Sequence, residues 1–262
     1  MLRTFGVVWL IASTAIAQPE SSQVPGATQE RVDAAPVWVI LVDDLHLDFT
    51  STGHIQELLT TIAGQLPQDG DLAGIVSTGP SSIAFDLTKD RTGIGPVIKK
   101  VSGAALKPSE ILGGMDEVRY RAHAAFSTVY DVVTMLGRVA SPHKALVYVS
   151  NGYNVDVWPG TPRSDTNPFL AKDKVITDAR LRAEVAELTH QATGANVTIY
   201  AINVGAIREK PDPRVDPAIW ETYRATTRRS LEVISEETGG FAIQEDLEDG
   251  LKRLSSISVR RR

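Results

Sequence analysis

Three short polar clusters follow or interrupt apolar runs, and they hold the residue types that chemistry would need. The first is Asp43-Asp44-Leu45-His46-Leu47-Asp48, directly after Val37–Val42. The second is Ser127-Thr128, and the third is Ser150-Asn151-Gly152, directly after Ala145–Val149. An Asp carboxylate, a hydroxyl and an amide oxygen converging from these clusters would suit a hard cation such as Mg²⁺, which takes oxygen ligands and keeps several waters. A shifted set exists alongside it. Asp44, His46 and Asp48 alternate, so they would share one face if the strand continued. Asp-x-His-x-Asp offers carboxylate and imidazole ligands to Zn²⁺, Mn²⁺ or Ni²⁺, the equipment of a metal-dependent hydrolase. The same segment also reads as a solvated acidic loop with a polar cap for the next helix. Asp44, His46 and Ser150, with Trp158 in the loop beyond Asn151, are the candidate ligand-binding residues of this edge.

Other catalytic patterns are incomplete. Asp43-Asp44 resembles the acidic pair of a phospho-receiver, but Asn151 and the lysine-free stretch Val197–Gly205 supply neither the later Asp nor the Lys. Gly-x-Gly-x-x-Gly does not follow the first apolar run, which leaves a dinucleotide site unsupported. Ser77 lacks the Gly-x-Ser-x-Gly frame of a nucleophile elbow. His46, His54, His123, His143 and His190 form no His-x-x-x-His or His-Glu-x-x-His pair. The chain has no cysteine, which excludes disulfides, thiolate-ligated zinc, iron–sulfur clusters and thiol catalysis. Lys and Arg number 27 against 32 for Asp and Glu, a net charge of −5 that argues against a dedicated nucleic-acid binder.

The residues between the clusters must bring them to one edge. Val37–Val42, Leu72–Ser77, Ala145–Val149 and Val197–Val204 are apolar and rich in β-branched residues, the pattern of strands buried on both faces of a parallel sheet. Ser82–Leu87 comes directly after the Gly79-Pro80 turn, which predicts a hairpin and so an antiparallel edge strand. Phe241–Ile243 predicts a short last strand. Ile55, Leu58, Leu59, Ile62, Ala63 and Leu66 follow helical spacing. Further helices are expected over Ile94–Val101, Ala122–Val139, Asp173–Thr193, Thr226–Glu237 (capped by Gly239-Gly240) and Leu247–Leu254. This alternation gives an α/β fold, an open and mostly parallel sheet with helices on both faces. Ligands bind such sheets beyond the carboxyl ends of the strands. The loop 153–172 and the loop holding Pro211, Pro213 and Pro217 are long enough to carry specificity. Trp158 and Trp220 lie in or beside these loops and either anchor a ligand or pin the loops down.

Residues 1–17 have a signal-peptide layout: Arg3 as the sole charge, apolar Phe5–Ile11, and Ala15-Ile16-Ala17 as a small-x-small cleavage site. The apolar stretch is too short to span a bilayer. Export is therefore expected, with cleavage near Ala17 and a periplasmic or extracellular mature chain without a membrane span. Residues 18–35, polar and holding Pro19, Pro25 and Gly26, read as a disordered lead-in. One domain is expected over 36–256, followed by a basic tail at 257–262.

At the clusters the sequence resembles a known family. Val39-Ile40-Leu41-Val42-Asp43, Thr128-Val129-Tyr130-Asp131 and Leu146-Val147-Tyr148-Val149-Ser150-Asn151-Gly152 look like a von Willebrand factor A (VWA) domain. The closer likeness is to the VWA-related proteins numerous in Acidobacteria. It is carried by VDDLHLDFTSTG (42–53), DGDLAGIVSTGPSSIAFDLTKDR (69–91), EVRYRAHAAFSTVYD (117–131), KALVYVSNGY (144–153) and SEETGGFAI (235–243). The resemblance implies a three-layer, Rossmann-like fold with a six-stranded sheet, usually a module for binding proteins or other ligands. It also implies a metal-ion-dependent adhesion site, written Asp-x-Ser-x-Ser after the first strand with a Thr and a later Asp. Asp43 matches the first Asp and Thr128 the Thr. The two Ser positions are Leu45 and Leu47, which cannot ligate, and the later Asp is Asn151. Such a degenerate site would hold Mg²⁺ or Mn²⁺ weakly. Family members continue from the last helix into a strand with a Tyr-Tyr-x-Leu-Gly-Tyr-like motif. Here Ser255-Ser256-Ile257-Ser258-Val259 stands instead, which implies a shortened closing segment. The expected function is an exported, non-catalytic binding module for a protein or surface ligand. Two alternatives stand beside it: a metal-dependent hydrolase using Asp44, His46 and Asp48, and an envelope assembly or scaffolding factor, which the sequence does not separate from the binding module.

Overall fold

The computed structural model describes residues 35–107, 115–154, 168–205, 213 and 215–260. The expected leader (1–17) and most of the lead-in (18–35) lie outside the described residues, as does Trp158. The described chain is α/β, built on a six-stranded sheet in the order β3-β2-β1-β4-β5-β6. Strand β1 is Val37–Val42, with every residue buried, and it pairs in parallel with β2 (Leu72–Ser77) on one side and β4 (Lys144–Ser150) on the other. Beyond β4 come β5 (Val197–Asn203) and the short β6 (Ala242–Ile243), both parallel. Only β3 (Ala84–Thr88) runs antiparallel, paired to β2 at the sheet edge. It begins two residues later than the apolar pattern suggests. Ser82 sits at a φ of 49° inside a turn closed by Ser82 N–H to Gly79 C=O, and this keeps 79–82 out of the ladder.

Strand alternation sorts the core into two layers. Val37, Val39 and Leu41 pack under α3 (Met115–Gly137), α4 (Pro168–Gly194) and α5 (Pro217–Glu236), through Phe126, Val129, Leu188 and Leu231 among others. Trp38, Ile40 and Val42 face the opposite layer. There α1 (Thr52–Gln65), α2 (Ile94–Ile98) and α6 (Leu247–Arg260) supply Ile55, Leu59, Ile94 and Leu254. No helix among the described residues is long and apolar enough to cross a membrane.

Four helices are longer than their periodicity suggests: α3 starts at Met115 and not Ala122, α4 at Pro168 and not Asp173, and α5 and α6 are also extended. Helix α5 starts at Pro217, nine positions before the expected Thr226, because the Asp216 side chain accepts from Ala218 N–H at 2.8 Å and Pro217 fits the first helical turn. That start buries Trp220, which stacks on Tyr223 at 5.5 Å and so belongs to the scaffold. Helix α6 runs to Arg260, through the start of the stretch expected as a basic tail. Leu247, Leu251, Leu254 and Ile257 recur at helical spacing and all pack on the same core layer, which continues the helix past Ser256.

Candidate functional site

The neighbours of β1 are β2, which follows it in the chain, and β4, which comes after the hairpin and α3. The order reverses at β1, so the crevice beyond its carboxyl end is the place where such a sheet binds ligands. Asp43 stands there, one residue past the strand, and its N–H continues the ladder to Val149 C=O at 2.9 Å. Its side chain is fully buried. The carboxylate accepts from five protein donors. Oδ2 receives Ser150 Oγ at 2.7 Å and the Tyr148 and Tyr153 hydroxyls at 3.0 Å each. Oδ1 receives Thr78 Oγ1 at 2.8 Å and faces His46 Nδ1 at 3.0 Å. A carboxylate can only accept, so Nδ1 of His46 carries the proton in this contact.

The five donors are delivered by four pieces of backbone. Thr78 follows β2, while Tyr148 and Ser150 are two residues apart on one face of β4. His46 arrives because the chain turns at once after Asp43: His46 N–H and Leu47 N–H both donate to Asp43 C=O. Tyr153 is folded back by Gly152, which adopts a φ of 81° and donates to Ser150 Oγ at 3.0 Å. Tyr153 N–H is then fixed by Ser230 Oγ of α5 at 2.9 Å, and its ring lies against Phe126 and His46. A side chain on Gly152 would strike the Thr227 carbonyl.

Burial pushes the Asp43 carboxyl up. The charge on His46 and the hydrogen bonds from His46, Ser150 and Thr78 outweigh that, and the group stays below its ordinary value. Burial beside this anion drives the Tyr148 phenol well above its ordinary value, so it remains a neutral donor.

The other candidates are dispersed. Asp44 is buried too, but its partners differ: Oδ2 accepts from Ser81 N–H at 2.7 Å and Oδ1 lies 3.2 Å from Thr78 Oγ1. It ties down the β2–β3 turn, and Gly79 passes so close to Asp44 and Leu45 that a Cβ there would collide. Asp48 caps the turn before α1 by accepting from Thr50 N–H and Thr50 Oγ1 at 2.8 and 2.9 Å. Asp44, His46 and Asp48 thus serve three separate partners, because the turn after Asp43 breaks the alternation that would have aligned them. Among the described residues no group of three or more His, Asp or Glu side chains is placed to hold a metal ion.

The fold that the resemblance implies would put a divalent ion beside Asp43, and the residues present do not fit it. Both Asp43 oxygens are engaged by protein donors. Leu47 is fully buried apolar surface, and Thr128 turns its hydroxyl to Ala124 C=O at 2.9 Å within α3. Asn151 is the exception: it is buried and its Oδ1 has no hydrogen-bond partner among the described residues. Next to the cluster lies a small cleft of about 30 Å³, lined by His46, Leu106, Arg121, Gly152, Asn154 and Tyr223 among others. Arg121 crosses beside it, donating to the Leu45 and Ala104 carbonyls and pairing with Glu117 at 2.7 Å.

Thr78, Tyr148, Tyr153 and Arg121 were not among the sequence candidates. The first three lie at or just past the ends of β2 and β4, so a survey of every hydroxyl near the end of a buried strand would have found them.

The fold and this edge together define an α/β module centred on a buried, fully hydrogen-bonded carboxylate. No protein-family model matches the chain, and no curated protein does. Among solved structures it is similar to PilB, a minor pilin from Streptococcus sanguinis, at 14% identity and a TM-score of 0.47, over 87% of this chain and 61% of the pilin. A point mutant of the same pilin gives 13% identity and a TM-score of 0.48 over the same shares. The human COPII-coat protein Sec24c gives 12% identity and a TM-score of 0.39, over 87% of this chain and 32% of that one. The chain therefore spans less than two thirds of the length of each of these neighbours.

Proposed function

We propose that the chain is an exported, non-catalytic binding module of the VWA-like type, which holds a protein or surface ligand at the carboxyl edge of its sheet. The observation that carries this reading is the state of Asp43. Asp43, the first acidic group past the end of β1, is spent on five internal hydrogen bonds. It therefore serves as a rigid keystone under a binding edge and has no capacity left as a base or nucleophile. The dispersal of Asp44, His46 and Asp48 speaks in the same direction, since a hydrolytic metal centre would need them together. The signal-peptide layout of residues 1–17 supports export.

The test is capture of a partner by the immobilised chain 18–262 from envelope and secreted fractions, in parallel with Asn154→Trp, which fills the cleft rim. A defined partner retained by the natural chain and lost by the variant is the expected result. Absence of any specific partner, or turnover on a hydrolase substrate panel that His46→Ala abolishes, would sink the proposal.

A further inference from the structure

We infer that this strand edge works without a divalent ion, because the chain's own donors occupy the positions from which Asp43 would hold one. The inference rests on the binding-module reading and concerns the same edge. A carboxylate offers about four lone-pair sites. Here four hydroxyls and one imidazole N–H converge on it, three on Oδ2 and two on Oδ1. Tyr148, Ser150 and Tyr153 crowd one oxygen within 2.7–3.0 Å, and the carboxylate they surround is wholly buried. Coordination of Mg²⁺ requires near-octahedral room and several retained waters. That room is filled by two tyrosine side chains, each almost completely buried.

The remaining shell is missing for independent reasons. Leu45 and Leu47 have no donor atom. Thr128 is committed to the Ala124 carbonyl. Of these positions Asn151 keeps a buried oxygen without a partner among the described residues, and a single neutral amide cannot hold a divalent cation against water. A further donor faces the anion from within, since the Nδ1 side of His46 lies 3.0 Å from Asp43. The donors come from β2, β4, the turn after β1 and the loop after β4. The network therefore clamps the three central strand ends into one arrangement, and no ion is needed to complete it.

The experiment titrates Mn²⁺ into chain 18–262 and reads free Mn²⁺ by electron paramagnetic resonance, beside thermal melts in MgCl₂ and in EDTA. The free-ion signal is expected to rise linearly, with melting temperatures equal in both buffers. A site of about 0.1 mM affinity offered about 10 mM ion would instead raise the melting temperature by roughly 5–10 °C. Binding that Asp43→Asn leaves unchanged lies elsewhere and upholds the inference. Saturable binding near one equivalent that is abolished by Asp43→Asn overturns it. Asn151→Ala serves the same purpose if Asp43→Asn does not fold, since Asn151 donates nothing to Asp43. A positive Mn²⁺ result leaves the binding-module reading standing, and failure to capture a partner leaves this inference standing, so the two fail separately.

Discussion

Asp43→Asn keeps the shape of the side chain and removes the charge around which five donors are arranged. Hydrogen bonds to a charged group contribute about 1.5–3 kcal/mol each, but they do not add simply. The amide keeps one acceptor oxygen, and some of the four hydroxyls can rotate to accept from the new N–H₂. His46 adapts only by moving its ring proton to Nε2, and the donors crowded on whichever oxygen becomes nitrogen cannot all turn round. Two or so donors are left unsatisfied in a dry site, which sets the expected loss at about 3–5 kcal/mol. Urea unfolding followed by tryptophan fluorescence reads this directly, since Trp38 and Trp220 are both buried. With a slope of about 2–3 kcal/mol per molar, the midpoint should fall by roughly 1–2 M. The pH dependence supplies a second reading. The folded Asp43 pKa lies below its ordinary value of 3.8, so its stabilising contribution is fully present above that value and is lost as pH falls through the lower, folded one. The gap between natural chain and variant must therefore narrow at acid pH. An unchanged midpoint at neutral pH, or a gap that widens on acidification, would refute the keystone argument.

Two smaller perturbations separate parts of the same network. Tyr153→Phe removes one donor and leaves the carboxylate with four, so it should cost only about 1–2 kcal/mol in the same unfolding assay; a loss as large as that of Asp43→Asn would mean that Tyr153 matters through packing instead. Gly152→Ala places a β-carbon at a φ of 81° and against the Thr227 carbonyl. It should destabilise by at least about 2 kcal/mol. Gly53→Ala, in open space on α1, should by contrast be neutral or stabilising by up to about 1 kcal/mol in a thermal melt.

Sequence patterning was most informative where one residue type repeats at one period. The run Val37–Val42 has β-branched and large apolar residues at every position, and it is buried at every position. Gly79-Pro80 between two apolar runs marked the antiparallel edge strand, and Leu247, Leu251 and Leu254 marked the last helix. Periodicity failed at boundaries decided by single hydrogen bonds. Asp216-Pro217 is a helix start, yet its proline reads equally well as loop punctuation until the cap to Ala218 is visible. At the site, the sequence placed Asp43, Ser150 and Asn151 at neighbouring strand ends. It could not show that Tyr148 and Tyr153 would reach the same oxygen, since that depends on the register of β4 against β1 and on the reversal at Gly152.

The sequence by itself determined the α/β alternation, the two-faced burial of the central strands and the position of an acidic group at the end of the first strand. All of these follow from local composition, which acts residue by residue along the chain. What that acidic group is engaged in was decided only by the tertiary structure. The Asp-x-His-x-Asp pattern is real in the sequence, but a tight turn after Asp43 sends its members to three different partners. Hydroxyls separated from Asp43 by 35 to 110 positions fill its coordination sphere instead. Distances of that kind are set by strand pairing and by packing between layers, and no window of sequence contains them.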